Sequence, residues 1–287
     1  MTCPDFTFIA ALLKERSGLI ITPDKQYLLE TRLTPIVREL GLSGLPALFD
    51  RLRQPGSLAV RDQVVDAMTT NETSFFRDTH PFESLRKSVI PELAARRAGS
   101  RSIRIWSAAC STGQEPYSLV MMLKDHFPAL ENWKIEIIAT DISPSVLARA
   151  REGLYSTFEA QRGMPIHSLI RHFDQVEGGW QIKPEMRRAV TFRAANLLED
   201  FSGLGAFDLI LCRNVLIYFD QPTKTRILDA MARQLGPDGA LLLGGAESVF
   251  GLCASLAARP GLKGVYGRSP AKPAATAAQP ARLSAAS

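Results

Sequence analysis

Four polar side chains fall where layered α/β proteins do their chemistry. Glu115 follows the run IRIWSAACSTG, Asp141 ends KIEIIATD, Asn196 follows VTFRAA, and Asn214 ends FDLILCRN. Each preceding run reads as a sheet strand. The four groups are therefore expected along the carboxyl edge of successive strands, the edge at which open α/β sheets bind ligands. A carboxylate at the end of the second strand offers two acceptor oxygens to two hydroxyl donors, which suits a ribose.

The stretch Ile103 to Leu119 governs the rest. Ile103 and Ile105 alternate with Arg104 and lead to Trp106; small residues from Ser107 to Thr112 and then Gly113 follow. Gln114, Glu115 and Pro116 open a helix carrying Leu119, Met122 and Leu123, with Pro in the first turn, where its missing N–H costs nothing. The turn has no GxGxxG and no Gly-Lys-Ser/Thr signature. Glu115 stands where a phosphate would otherwise sit. A carboxylate there repels phosphate and suits a cation or a hydroxyl. The turn thus favours a nucleoside without phosphates, and S-adenosylmethionine, with its sulfonium and amino acid, fits. The competing reading is an ordinary βα turn whose small residues only permit close packing. The spacing from Gly113 to Asp141 exceeds the ~20 residues typical of dinucleotide folds.

Composition bounds these readings. The chain has 287 residues, 46% hydrophobic and 22% charged, with net charge +5, ordinary for a globular protein with room for one large or two smaller domains. It contains no apolar run of the ~20 residues needed to span a bilayer, and MTCPDFTFIAALLKERSG makes a poor signal peptide. Neither direct membrane insertion nor secretion is expected. Cys3, Cys110, Cys212 and Cys253 are scattered without CxxC pairing, so reduced thiols and no metal site are expected. Basic residues Arg86, Lys87, Arg96, Arg97, Arg101 and Arg104 outnumber Glu83 and Glu92 in one segment. That segment could attract an acidic partner or be a solvated face. It lacks interleaved aromatics, which argues against nucleic acid.

Along the chain, Phe6/Ile9/Leu12/Leu13, then Tyr27/Leu28/Leu33/Ile36/Val37/Leu40 ending at Gly41, then Leu45/Leu48/Phe49/Leu52, then Val60/Val64/Val65/Met68 recur at helical spacing. An all-α domain over 1–68 is expected, with Pro35 kinking or interrupting its second helix. A linker and helix cover 69–102, the helix running from about His80 to Arg97. TNETSFFR (70–77) could carry polar groups into a crevice sealed by Phe75 and Phe76; a helix cap over two buried rings is the alternative. An α/β domain covers 103–268, with a small β-insertion at about 153–190 built on a hairpin around Gly178-Gly179. Its last sheet strand is read at Ala240 to Gly244, followed by Glu247. The Ala/Pro-rich segment 269–287 reads as a disordered tail.

The motifs NETSFFRD (71–78), IWSAACSTGQEPYSL (105–119), ATDIS (139–143), NLL (196–198), LCRNVLIYFD (211–220) and GGAES (244–248) together resemble the CheR-type chemoreceptor glutamate methyltransferases, in order and spacing over about residues 5–268. The resemblance implies a helical N-terminal domain before a Rossmann-like methyltransferase domain with a small β-subdomain. It implies S-adenosyl-L-methionine as cofactor, with S-adenosyl-L-homocysteine as product. Asn71, Thr73, Arg77, Glu115, Asp141, Asn196, Leu197, Arg213 and Asn214 are implied as cofactor contacts, and Arg77 and Tyr218 as catalytic residues. Arg32 and Arg38 are candidate substrate contacts on a second helix less basic than that of the best-known members. The implied partners are the cytoplasmic domains of chemoreceptors, met by a cytoplasmic, monomeric enzyme associating with membrane receptor arrays. The hairpin FDQVEGGWQIK (173–183) is shorter than in members that dock onto a receptor pentapeptide, so pentapeptide-independent action is expected. Two alternatives stay open: a non-catalytic S-adenosylmethionine-binding adaptor, and a methyltransferase acting on another acceptor.

Overall fold

A computed structural model describes residues 3–270; most of the segment expected to be a disordered tail lies outside them. The chain opens with four helices, α1 (Cys3–Ser17), α2 (Gln26–Glu39), α3 (Leu45–Arg53) and α4 (Leu58–Met68). Their apolar faces meet in one core around Ile9, Leu13, Leu29, Leu33, Leu48, Phe49, Leu52 and Val64. The α2 stripe is rotated from the expected one: Leu29, Leu33, Ile36 and Val37 are buried, whereas Tyr27 and Leu40 are exposed. Pro35 does not interrupt α2. Thr31 and Pro35 both lie on the exposed face, where water can take the carbonyl that Pro35 leaves without a donor. The helix ends at a left-handed Gly41 (φ 64°), with Gly41 N–H donating to the Arg38 carbonyl and Leu42 N–H to that of Val37, the paired bonds of a Schellman stop.

The single helix expected from about His80 to Arg97 is three pieces: α5 (Thr79–Ser84), a π turn (Leu85–Val89) and α6 (Ile90–Arg96). Ile90 N–H reaches back to Leu85 O. Pro91 explains this, since its ring clashes with the carbonyl four residues earlier and a wider turn relieves the contact.

Then come β1 (Ser102–Ala108), α7 (Gln114–His126), β2 (Lys134–Asp141), α8 (Pro144–Glu152), β3 (Leu154–Tyr155), α9 (Thr157–Gln161), α10 (Ile166–His172), β4 (Phe173–Val176), β5 (Gly179–Ile182), α11 (Pro184–Arg188), β6 (Val190–Ala194), β7 (Phe207–Cys212), α12 (Gln221–Gln234), β8 (Leu235–Leu243), β9 (Leu256–Ala258) and β10 (Val265–Arg268). The main sheet has the order β6-β2-β1-β7-β8-β10-β9. β6, β2, β1, β7 and β8 are parallel, and β10 is antiparallel to β8 and β9. Side chains alternate between the two faces. Ile105, Ile137, Leu209 and Leu242 join one core, and Trp106, Ile138, Ile210 and Leu241 the other. Covering on both faces is why these strands read as near-continuous apolar runs. The sheet does not end with the strand expected at Ala240 to Gly244: β9 and β10 close that edge. Both are short, and β9 is too poor in β-branched or aromatic residues to register in sequence.

The expected hairpin is β4–β5, and β3 completes a small antiparallel sheet, β3-β5-β4. It is pinned to the main domain by edge-on contacts among Phe75, Tyr155 and Phe173 at 4.9–6.2 Å and by the Tyr155 hydroxyl donating to Thr112 O. Four of the six basic residues of the segment from Arg86 to Arg104 are paired, while Arg86 and Arg101 are exposed. Lys87, Arg96, Arg97 and Arg104 pair with Glu83, Asp238, Asp208 and Glu136.

Candidate active site

The sheet order reverses between β1 and β7, so the loops after these strands diverge and leave a crevice at their carboxyl ends. The β1 loop is drawn onto the end of β2: Cys110 N–H donates to Thr140 O and Ser111 N–H to Asp141 Oδ2. The loop turns on a left-handed Gly113 (φ 91°), where a Cβ would come within 3.0–3.3 Å of Ala150, Tyr117 and Phe192. Small residues here let α7 start directly beneath the crevice.

Glu115, in the first turn of α7, accepts from the Ser107 hydroxyl at 2.8 Å and from Arg213 Nη1 at 2.9 Å. Asp141 is buried. Its Oδ1 takes Ser143 N–H at 3.0 Å and its Oδ2 Ser111 N–H at 2.8 Å. Burial pushes its pKa up, opposed by these bonds. Each oxygen keeps capacity for a further donor from the crevice it lines.

Arg213 follows β7 directly, with its side chain only 1% exposed. Its Nη1 bonds Glu115, and its Nη2 bonds Arg77 O at 2.6 Å and Asp78 Oδ2 at 3.0 Å. It thus ties β7, α7 and the interdomain linker together. Asn214 follows in left-handed conformation (φ 58°). The loop after it hangs on one side chain. Glu247 accepts Asn214 N–H and Gly244 N–H on Oε2, and Val215 N–H and Leu216 N–H on Oε1, all at 2.7–2.9 Å. In the sequence Glu247 stood out only as the acid after the last strand and as part of the GGAES motif, with no role attached.

The linker roofs the crevice. Ser111 Oγ donates to Asn71 O, Phe76 N–H donates to Ser118 Oγ, and Arg77 Nη1 donates to Glu72 O at 2.7 Å. The helical domain adds Ser17 and Leu19, and Ile20 N–H donates to Tyr218 O at 3.2 Å. Lys14–Asp220 pairs across the same seam at 2.8 Å. The crevice has a volume of about 100 Å³ and stays partly open to solvent. Of the non-glycine residues with left-handed backbone, Phe76, Asp78, Ala109, Ser111 and Asn214 all belong to the segments framing it, the kind of backbone strain that collects at functional sites.

Of the residues singled out in the sequence, Asn71, Thr73, Arg77, Glu115, Asp141, Arg213, Asn214 and Tyr218 line this one crevice. Asn196 and Leu197 do not. Leu197 is packed into the core, and Asn196 faces an adjoining cavity, donating to Arg16 O and accepting from Leu198 N–H. Arg32 bonds Met68 O, Thr69 O and the Thr70 hydroxyl, so it holds the linker rather than standing free for a substrate. Arg38 lies exposed on α2. Among the described residues no His/Cys/Asp/Glu cluster could hold a metal.

The crevice is lined by a buried acid, Asp141, and a half-buried one, Glu115, and Asp141 has spare acceptor capacity toward it. This donor set fits a ribose and a cationic centre, as in S-adenosylmethionine. Residues 4–69 match the family model "CheR methyltransferase, all-alpha domain" and residues 71–260 match "CheR methyltransferase, SAM binding domain". Chemotaxis protein methyltransferase 1 of Pseudomonas aeruginosa is 44% identical over 254 residues, covering 86% of this chain and 91% of that protein. Chemotaxis protein methyltransferase Cher2 of Pseudomonas putida is 42% identical over 253 residues, covering 86% and 91%. Chemotaxis protein methyltransferase 1 of Vibrio cholerae is 43% identical over 244 residues, covering 84% and 87%. With both domains matched and the sequence motifs gathered at one sheet edge, this chain belongs to the CheR methyltransferase family and uses S-adenosylmethionine.

Proposed function

We propose that this chain methylates glutamate side chains of chemoreceptors, forming glutamate methyl esters, and does so without a receptor pentapeptide tether. The observation that carries the acceptor chemistry is the make-up of the crevice mouth. Arg77 holds Glu72 O with one nitrogen, and its others have no protein partner among the described residues; Tyr218 lies in the same lining, and no histidine or lysine does. A glutamate carboxylate, with an ordinary pKa of ~4.3, is already ionised near pH 7 and needs no base. An arginine fork matches it geometrically.

Bound S-adenosylmethionine supplies the electrophilic methyl group. Asp141, Glu115 and the Asn214 loop would hold it, Arg77 would hold the acceptor carboxylate, and the Tyr218 hydroxyl would orient the reacting groups. Opposite charges are neutralised in such a transfer, so positioning and water exclusion contribute most. The roof formed by Ser17, Leu19 and the linker provides that exclusion.

The short β4–β5 connection supports tether-independent action. The register pairs Val176 with Gly179 and leaves only Glu177 and Gly178 between the strands. Saturable binding of a receptor C-terminal pentapeptide in calorimetry would overturn this part. The acceptor is tested with methyl-labelled S-adenosylmethionine and receptor-containing membranes, followed by alkali. Volatile labelled methanol is the expected product of a carboxyl ester. Alkali-stable label would refute the glutamate assignment.

A further inference from the structure

Two acids flank Arg77 in the linker, and each is held by a different arginine. Asp78 Oδ2 accepts from Arg213 Nη2 at 3.0 Å, and Glu72 Oε1 accepts from Arg162 Nη2 at 2.8 Å. Arg77 has no carboxylate partner among the described residues; its Nη1 donates to the backbone oxygen of Glu72. A cation lining the crevice is thus left open, although the residue whose carbonyl it holds carries a carboxylate of its own. That carboxylate is within reach. Glu72 and Arg77 line the same crevice, and the Glu72 side chain is 63% exposed, with room to change rotamer. Its pKa is lowered first by the Arg162 hydrogen bond and also by the charges of Arg162 and Arg77. An arginine fork takes a carboxylate from any source.

The backbone puts Arg162 in place. It follows α9 directly, with its N–H donating to Phe158 O. Gly163 comes next in left-handed conformation (φ 83°), and a Cβ there would collide with Phe75 O. Glycine is therefore what lets this turn press against the linker. Phe75 is fixed in turn by its ring contacts with Tyr155 and Phe173. The Glu72–Arg162 pair joins the small-sheet region to the linker at one defined point. As an exposed ion pair it adds little to stability, so its consequence lies in where it keeps the Glu72 carboxylate.

We propose that Arg162 is a positioning residue: it draws the Glu72 carboxylate aside and so keeps the Arg77 guanidinium open for the carboxylate of the acceptor. The proposal rests on Arg77 being the group that receives the acceptor carboxylate. Glu72 is then an internal competitor for Arg77, of the same chemical class as the substrate, and Arg162 holds it in check.

The test compares the full chain as wild type, Arg162→Ala, Glu72→Gln and the double variant, with labelled S-adenosylmethionine and increasing amounts of receptor-containing membranes. Arg162→Ala should raise the acceptor KM about fivefold, the scale of a near-surface ion pair competing for one guanidinium. Its kcat should change little, because excess acceptor displaces an internal carboxylate. In the Glu72→Gln background the same substitution should change KM by less than about twofold, because a neutral amide is a poor competitor. An unchanged KM in Arg162→Ala, or a rise of equal size in both backgrounds, would overturn the proposal; in the second case Arg162 braces the linker or meets the acceptor itself. A crystal structure of Arg162→Ala decides the point without any acceptor. The Glu72 carboxylate should lie on the Arg77 guanidinium, within about 3 Å, and a carboxylate left in solvent would overturn the proposal. A Glu72–Arg77 pair in that crystal, with no alkali-labile label from the wild type, would uphold the shielding of Arg77 and refute the glutamate acceptor.

Discussion

Replacing Glu247 by Gln tests whether one carboxylate builds the loop on which the site depends. The side chain is 9% exposed and satisfies four backbone N–H groups, two on each oxygen. Gln has the same shape but only one acceptor oxygen. Whichever way its amide lies, two N–H donors face an NH₂ group and lose their partner. Each buried unsatisfied donor costs about 1–3 kcal/mol, so the expected loss is roughly 2–6 kcal/mol. That is a large part of a total stability of about 5–15 kcal/mol. Water cannot easily take over, because the space is tight: a Cβ on Gly244 would lie 2.7 Å from Glu247 Oε2 and 2.9 Å from Asn214 N. Two readouts should move together. The urea midpoint should fall, and S-adenosyl-L-homocysteine affinity should weaken about tenfold or more as Asn214 to Tyr218 loses its shape. Unfolding within ~0.5 kcal/mol of wild type, with cofactor affinity unchanged, would refute the reasoning.

Tyr218→Phe should lower turnover about tenfold or more while S-adenosyl-L-homocysteine binding stays within about twofold, because the hydroxyl has no protein partner to lose among the described residues; unchanged turnover removes its orienting role. His172, buried at the end of α10 with its ring 2.9 Å from Asp125, is held below the usual imidazole range by burial, against the pull of Asp125. The unfolded chain therefore takes up a proton that the folded chain resists. Stability from this group is present above about pH 6.5 and is lost as pH falls. Melting temperatures at pH 7.5 and 5.5 should show a steeper acid loss for wild type than for His172→Gln, and equal slopes would refute the assignment.

Much of the fold and part of the site were legible in the sequence because they are written locally. Strands β1, β2 and β7 announce themselves by apolar runs, α7 by Pro116 in its first turn, and the crevice by polar residues at the strand ends. Because β1, β2 and β7 lie side by side in the sheet, their carboxyl ends converge, and Glu115, Asp141 and Asn214 meet without any long-range guess. The α2 phase and the continuity of its helix through Pro35 depended on which face met the bundle core, and periodicity alone did not say. β9 and β10 owe their existence to an open sheet edge rather than to their own propensity.

The roles of particular side chains came only with the tertiary structure. Arg213 and Glu115 stand 98 residues apart in sequence and form a nearly water-free ion pair. Arg32 is claimed by linker carbonyls 36 and 37 residues on. An unpaired donor or acceptor takes whatever partner the packed chain brings within about 3 Å. Sequence spacing fixes that partner inside a helix turn, and the packing of the domains fixes it everywhere else.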